Sequence, residues 1–145
     1  MKSWCLLAVL LLISACNPFD PPLYTTPLPN GYAQKSNGGE LGFLVSAGGQ
    51  IVAPHILGPD AVPERWCNNF AWSGDLVVCE AVQYGVRAFV DPPTSIEYLL
   101  LNTRTGQVTL FKTRDELATS WRSQMHSPLP SLTKEHPGRR EQKAH

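Results

Sequence analysis

A chain of 145 residues with 12 basic and 12 acidic side chains carries no net formal charge. That balance gives no electrostatic case for nucleic acid, whose phosphates select strongly basic surfaces. Thirteen prolines and eleven glycines leave little room for long helices and suggest a β-rich chain with many turns.

The chain opens with Lys2, then an almost purely aliphatic run from Leu6, then small residues leading to Cys16. This is the layout of a secretory signal: a charged start, a short apolar region and a small-residue cleavage site. A membrane-spanning helix needs about 20 apolar residues. Here Asn17-Pro18 ends the run early, and Pro21-Pro22 cannot continue a helix. An ordinary secreted chain, with Cys16 incidental, is the other reading. Ile13-Ser14-Ala15-Cys16 resembles the lipobox of bacterial lipoproteins. The resemblance implies cleavage between Ala15 and Cys16, a diacylglyceryl group on the Cys16 thiol and an acyl chain (typically palmitate) on the new terminus. Asn17 follows the cysteine where an aspartate would favour the inner membrane, so the resemblance implies the periplasmic face of the outer membrane. Two or three acyl chains anchor stably where one is marginal.

Removing residues 1–15 takes Cys5 away, and acylation uses Cys16. Cys67 and Cys79 remain, in a chain bound for an oxidising compartment, so a disulfide is the natural reading. Closing a loop of that length stabilises by about 3 kcal/mol on the chain-entropy model. Two buried free thiols are the alternative; two cysteines without neighbouring histidines make no metal site.

Residues 16–35 are proline-rich and lack an apolar period, which reads as a tether lifting a domain off the membrane. Phe19, Leu23, Tyr24, Leu28 and Tyr32 exceed what a spacer needs. They either pack on the domain as a strap or form a sticky segment for a partner. Pro29-Asn30-Gly31-Tyr32 has turn chemistry, so the domain could begin there.

The globular domain is placed at 36–126. Leu41 to Val45, a turn at Ala47-Gly48-Gly49 and a return over Gln50 to Ile56 read as a β-hairpin. Gly42-Phe43 with Gly49 to Pro54 resembles one copy of a bacterial WG-type repeat hairpin; no second copy follows, so it is read as local. Leu57 to Gly74 reads as a long irregular connection carrying Trp66, Cys67, Phe70 and Trp72. Long loops within compact domains are often functional. One reading has these aromatics plug an end of the core. The other makes Trp66, Phe70 and Trp72, on a stapled loop, a partner-binding surface, since aromatics are favoured interface anchors.

Asp75 to Tyr84 is dense in β-branched residues and reads as a central strand, with Val86 to Val90 extending or pairing with it. Asp91-Pro92-Pro93 ends it. Ser95 to Lys112 reads as a hairpin about Asn102 to Gly106. Thr113 with Glu116 is a capping box. Leu117, Trp121 and Met125 then make one helical face, with Trp121 in the core, and Ser127-Pro128 stops the helix. Residues 127–145 are nearly devoid of apolar residues after Leu132 and read as a disordered, mildly cationic tail. Such a tail either is merely solvated or touches anionic lipid or cell-wall polymer.

No nucleophile elbow, HExxH, phosphate loop or CxxC is present, and no cofactor is implied. His55, with Asp60 or Glu64, is the one histidine inside an expected strand. The chain therefore reads as non-enzymatic: an α+β, mostly β domain, a meander of about five strands closed by one C-terminal helix. It resembles small lipoproteins of Gram-negative envelopes, some of which are immunity proteins that hold off toxic effectors. That resemblance implies a membrane-anchored module that binds a protein in the periplasm. The alternatives are a structural accessory of an envelope or secretion complex, contacting through Phe19 to Tyr32, and a small periplasmic hydrolase using His55.

Overall fold

A computed structural model describes residues 24–36, 41–52, 56–57, 65–84 and 92–141. The signal segment, Cys16, the expected Val86–Val90 extension, and His55 with Asp60 and Glu64 lie outside the described residues. The fold is α+β and mostly β, with two antiparallel sheets and one helix near the C-terminus.

The first sheet contains β1 (Tyr24–Pro27), β2 (Ala33–Ser36), β3 (Gly42–Val45), β4 (Ile51–Val52), β5 (Ile56–Leu57) and β10 (Arg140–Glu141), in the order β10-β1-β2-β3-β4-β5. The second contains β6 (Trp66–Ser73), β7 (Leu76–Tyr84), β8 (Pro93–Asn102) and β9 (Gln107–Phe111), in chain order. The helix α1 spans Arg114–Met125.

The second sheet is covered on both faces. Because side chains alternate along a strand, Val77, Cys79, Leu99 and Leu101 point to one face, where they meet Leu28, Tyr32, Leu44 and Val52 of the first sheet. Leu76, Val78 and Leu100 point to the other, against Leu117 and Trp121 of α1. Double burial explains why β7 and β8 read as near-continuous apolar runs. The helix begins where the sequence places it. Thr113 Oγ1 accepts from the Glu116 N–H, and the Glu116 carboxylate accepts from the Thr113 N–H at 3.2 Å. It ends at His126, in the left-handed conformation at φ 53°. Trp121 is only 1% exposed, the core position its spacing predicts.

The β8–β9 hairpin forms as expected and β7 lies inside its sheet; the β3–β4 hairpin also forms, but its return strand is only Ile51–Val52, and Ile56 belongs to β5, which folds back antiparallel on β4. Four features differ from the reading of the sequence. Ten strands rather than five are found among the described residues, because the short polar strands carry no strong pattern. The supposed tether, 16–35, contributes β1 and most of β2, so the domain reaches back at least to Tyr24; the inward residues Thr26, Gln34 and Ser36 are polar yet buried, which hides the alternation. The supposed connection at 57–74 contains the eight-residue strand β6. A register shift between Cys67 and Phe70 breaks its period of two, as a bulge does. The supposed disordered tail, 127–145, lies on the domain through its described part: Leu129 and Leu132 pack beside α1 and β10 pairs with β1.

Gly42 shows how tightly the sheets meet. Gln34 Nε2 donates to the Cys67 carbonyl at 3.1 Å. A Cβ on Gly42 would lie 2.2 Å from that nitrogen and 3.1 Å from that oxygen. Gly42→Ala is therefore expected to lower the free energy of unfolding by about 2 kcal/mol through overpacking, read by urea denaturation.

Candidate functional site

The three aromatics singled out for partner binding all stand on β6, and the fold separates them. Cys67 lies opposite Ala81 on β7, and Phe70 opposite Cys79. The bulge between them turns Cys67 and Phe70 to the same face despite their odd spacing, which brings Cys67 to Cys79 with Cα atoms 5.6 Å apart, and the disulfide forms there. Both sulfurs are buried in the core between the sheets. The expected bond is thus a staple between neighbouring strands, and no free loop remains for it to brace.

Phe70 points inward and is fully buried, so it is no contact for a partner. Trp72 is half-buried. It stacks on Phe70 with ring centroids 6.0 Å apart, and His136 lies 4.1 Å from the Phe70 ring and 4.8 Å from that of Trp72. The chain's own C-terminal segment occupies the surface that the sequence suggested for a partner. Trp66 points the other way and meets Phe43 edge-on at 6.3 Å. Of the three it alone stands clear of that C-terminal segment.

The C-terminal segment behaves as a strap across the open side of the sandwich. Thr133 and Phe70 exchange both backbone hydrogen bonds, at 3.1 and 3.2 Å. The Arg139 guanidinium then donates to Ser36 Oγ on β2 and to the Lys134 carbonyl, and lies 4.5 Å from the Tyr24 ring centroid. The strap joins an edge strand of each sheet and covers both edges, where exposed edges invite association. The signals for this were too sparse to find in sequence: one histidine and one arginine in a polar stretch.

A second constellation lies at the opposite end, where the turns gather. Asn30, at φ 56° in the β1–β2 turn, adopts the left-handed conformation that asparagine tolerates. Its amide donates to Asp75 Oδ1 at 3.0 Å and to Thr103 Oγ1 at 2.9 Å. Thr103 donates both its hydroxyl and its N–H to the Asp75 carbonyl, each at 2.8 Å. Arg104 forms an ion pair with Asp75 at 2.5 Å and remains largely exposed. Turns of both sheets are thereby locked together. The Asn30 amide holds the Asp75 carboxyl below its ordinary value of 3.8 against the opposing effect of desolvation, and Arg104 adds a smaller lowering.

The described residues include no group of three His, Cys, Asp or Glu side chains able to hold a metal ion. Two recesses flank α1 among the described residues: a shallow, solvent-open groove of about 550 Å³ lined by Phe111, Asp115, Thr119 and Ser123 among others, and one of about 110 Å³ against β8–β9 lined by Leu100, Asn102 and Gln124 among others, the second far smaller than the roughly 300–1,000 Å³ of small-molecule sites. No described helix is long and apolar enough to cross a membrane. Comparison with protein-family models, curated proteins and solved structures finds no match to this chain.

Two outcomes are expected. Arg139→Ala removes two charge-assisted hydrogen bonds and a cation–π contact, and should cost about 2 kcal/mol of stability while speeding hydrogen exchange at the Phe70 amide. For Asp75 the folded pKa lies below the unfolded one, so its contribution is complete above 3.8 and is lost as the pH falls through the folded value. Wild type should therefore lose stability relative to Asp75→Asn on acidification from neutrality to about pH 3, measured by urea unfolding at both pH values.

Proposed function

We propose that this protein is a lipid-anchored periplasmic binding module, held at the outer membrane by acyl chains on Cys16, which recognises a protein partner through its turn end. The observation that carries the reading is the network of Asn30, Asp75, Thr103 and Arg104, which fuses turns from both sheets into one rigid platform. Recognition residues are commonly carried on loops positioned by a rigid scaffold. The Cys67–Cys79 disulfide supports an oxidising compartment, in keeping with the lipobox resemblance of Ile13 to Cys16. An immunity-type inhibitor of a secreted effector is the particular role that fits such a module. The accessory-protein reading loses its contact segment in part, since Leu28 and Tyr32 are buried in the core.

The test begins with metabolic palmitate labelling, which Cys16→Ser should abolish. The lipidated chain, extracted in detergent, is then used to capture proteins from periplasmic and secreted fractions. A stoichiometric secreted enzyme or toxin is expected, with affinity reduced at least tenfold by Arg104→Glu, as removal of an interface hot spot does. Capture that is indifferent to Arg104→Glu would remove the turn end from the reading, and a blank from both fractions would remove protein capture.

A further inference from the structure

Strand register brings a second set of residues together at the opposite end of the sandwich. On the first sheet, Arg140, Thr25, Lys35 and Phe43 are successive cross-strand partners on four neighbouring strands. They form one row on that sheet's outer face, since Gln34 and Leu44, adjacent along the chain, point inward. On the second sheet, Trp66, Val82 and Ile96 are likewise successive partners across β6, β7 and β8. Alternation puts this row on the face that α1 covers at Val78 and Leu100. Ile96 nevertheless stays 50% exposed, more than any other large hydrophobic residue described. The edge-on contact of Phe43 with Trp66 joins the two rows. The result is a continuous belt, cationic at Arg140 and Lys35 and apolar from Phe43 to Ile96. The nearby Arg65 is neutralised by Glu97 at 2.6 Å.

The chain enters the fold at this same end. Tyr24, Ser36 and Gly42 are cross-strand partners, so Tyr24 lies about 10 Å from Gly42 at the usual strand spacing. Gly42 in turn abuts the Cys67 carbonyl, one residue from Trp66. Eight residue steps separate Tyr24 from Cys16, a reach of at most about 28 Å. An acyl anchor on Cys16 therefore keeps this end, where β1 begins, within reach of the bilayer.

We propose that the belt seats the domain on the anionic phospholipid bilayer to which Cys16 is anchored. Phe43, Trp66 and Ile96 would enter the headgroup region, while Lys35 and Arg140 would meet lipid phosphates. Amphipathic aromatic rings favour that depth, and basic residues near an anionic leaflet add attraction that salt weakens. The turn end then points away from the membrane. This inference rests on the anchoring half of the proposed function and is independent of its protein-capture half.

The test uses the lipidated chain purified from membranes and reconstituted in phosphatidylethanolamine–phosphatidylglycerol vesicles, with or without brominated acyl chains. Flotation reads anchoring and tryptophan quenching reads seating. Trp72 and Trp121 are turned to the interior, so quenching is expected to come from Trp66. It should disappear in Trp66→Phe, fall in Ile96→Asp, whose exposed position spares the fold, and weaken with salt or in Lys35→Glu with Arg140→Glu. A chain that fails to float overturns the anchoring and the seating together. A chain that floats without quenching, or whose quenching survives Ile96→Asp, overturns the seating alone. Binding of a protein at the belt in its place, lost in Ile96→Asp without any quenching, does the same.

Discussion

The staple between Cys67 and Cys79 fixes β6 in its register, and much of the molecule is arranged on β6. Its Cys67 carbonyl takes the Gln34 amide from the first sheet. Its Phe70 backbone pairs with Thr133, and its Phe70 and Trp72 rings seat His136. Trp66 at its start meets Phe43. Without the bulge between Cys67 and Phe70, Phe70 and Cys67 would fall on opposite faces, and a one-residue change of register turns every later side chain over. A covalent bond beside the bulge holds the one arrangement in which sulfur, phenyl ring and indole are all placed correctly.

Polar groups in the interior give the packing of the two sheets its specificity. Gln34, Ser36 and Asn68 are buried where an apolar seam would be ordinary. Burying such groups costs free energy unless they find partners, so a sheet that slid by one residue would lose the Gln34 hydrogen bond to the Cys67 carbonyl. Hydrophobic contact around Leu44, Val77 and Leu101 is tolerant of small displacements; these directional contacts are not. Gly42 belongs to the same device, because only the absence of a side chain lets Gln34 reach Cys67.

The two ends of the sandwich differ in chemistry. One joins three turns in a hydrogen-bonded, charged network about Asp75. The other carries the incoming chain, the apolar row of Trp66, Val82 and Ile96, and two cations. A module proposed to sit on a membrane and meet a partner above it needs that asymmetry, and the antiparallel topology supplies it by placing hairpin turns at one end and the first residue of β1 at the other.

Local signals determined by the sequence alone were those in which one residue type acts on its near neighbours. The capping box of Thr113 and Glu116, the face of Leu117 and Trp121, the hairpins about Gly49 and Gly106, and the strand at 76–84 were all readable, because period and turn chemistry act within a few residues. The pairing of Cys67 with Cys79 was readable by elimination. Tertiary structure decided the rest. Tyr24–Pro27 and Ala33–Ser36 became strands because neighbours distant in sequence complete their hydrogen bonds and accept their polar side chains. Residues beyond Ser127 became a strap because Phe70, Trp72, Ser36 and Tyr24 offered partners that no local pattern announces. The aromatic trio of β6 parted for the same reason: residue type marked Trp66, Phe70 and Trp72 as capable of recognition, but only the bulge and the strap determined which rings were covered and which faced outward.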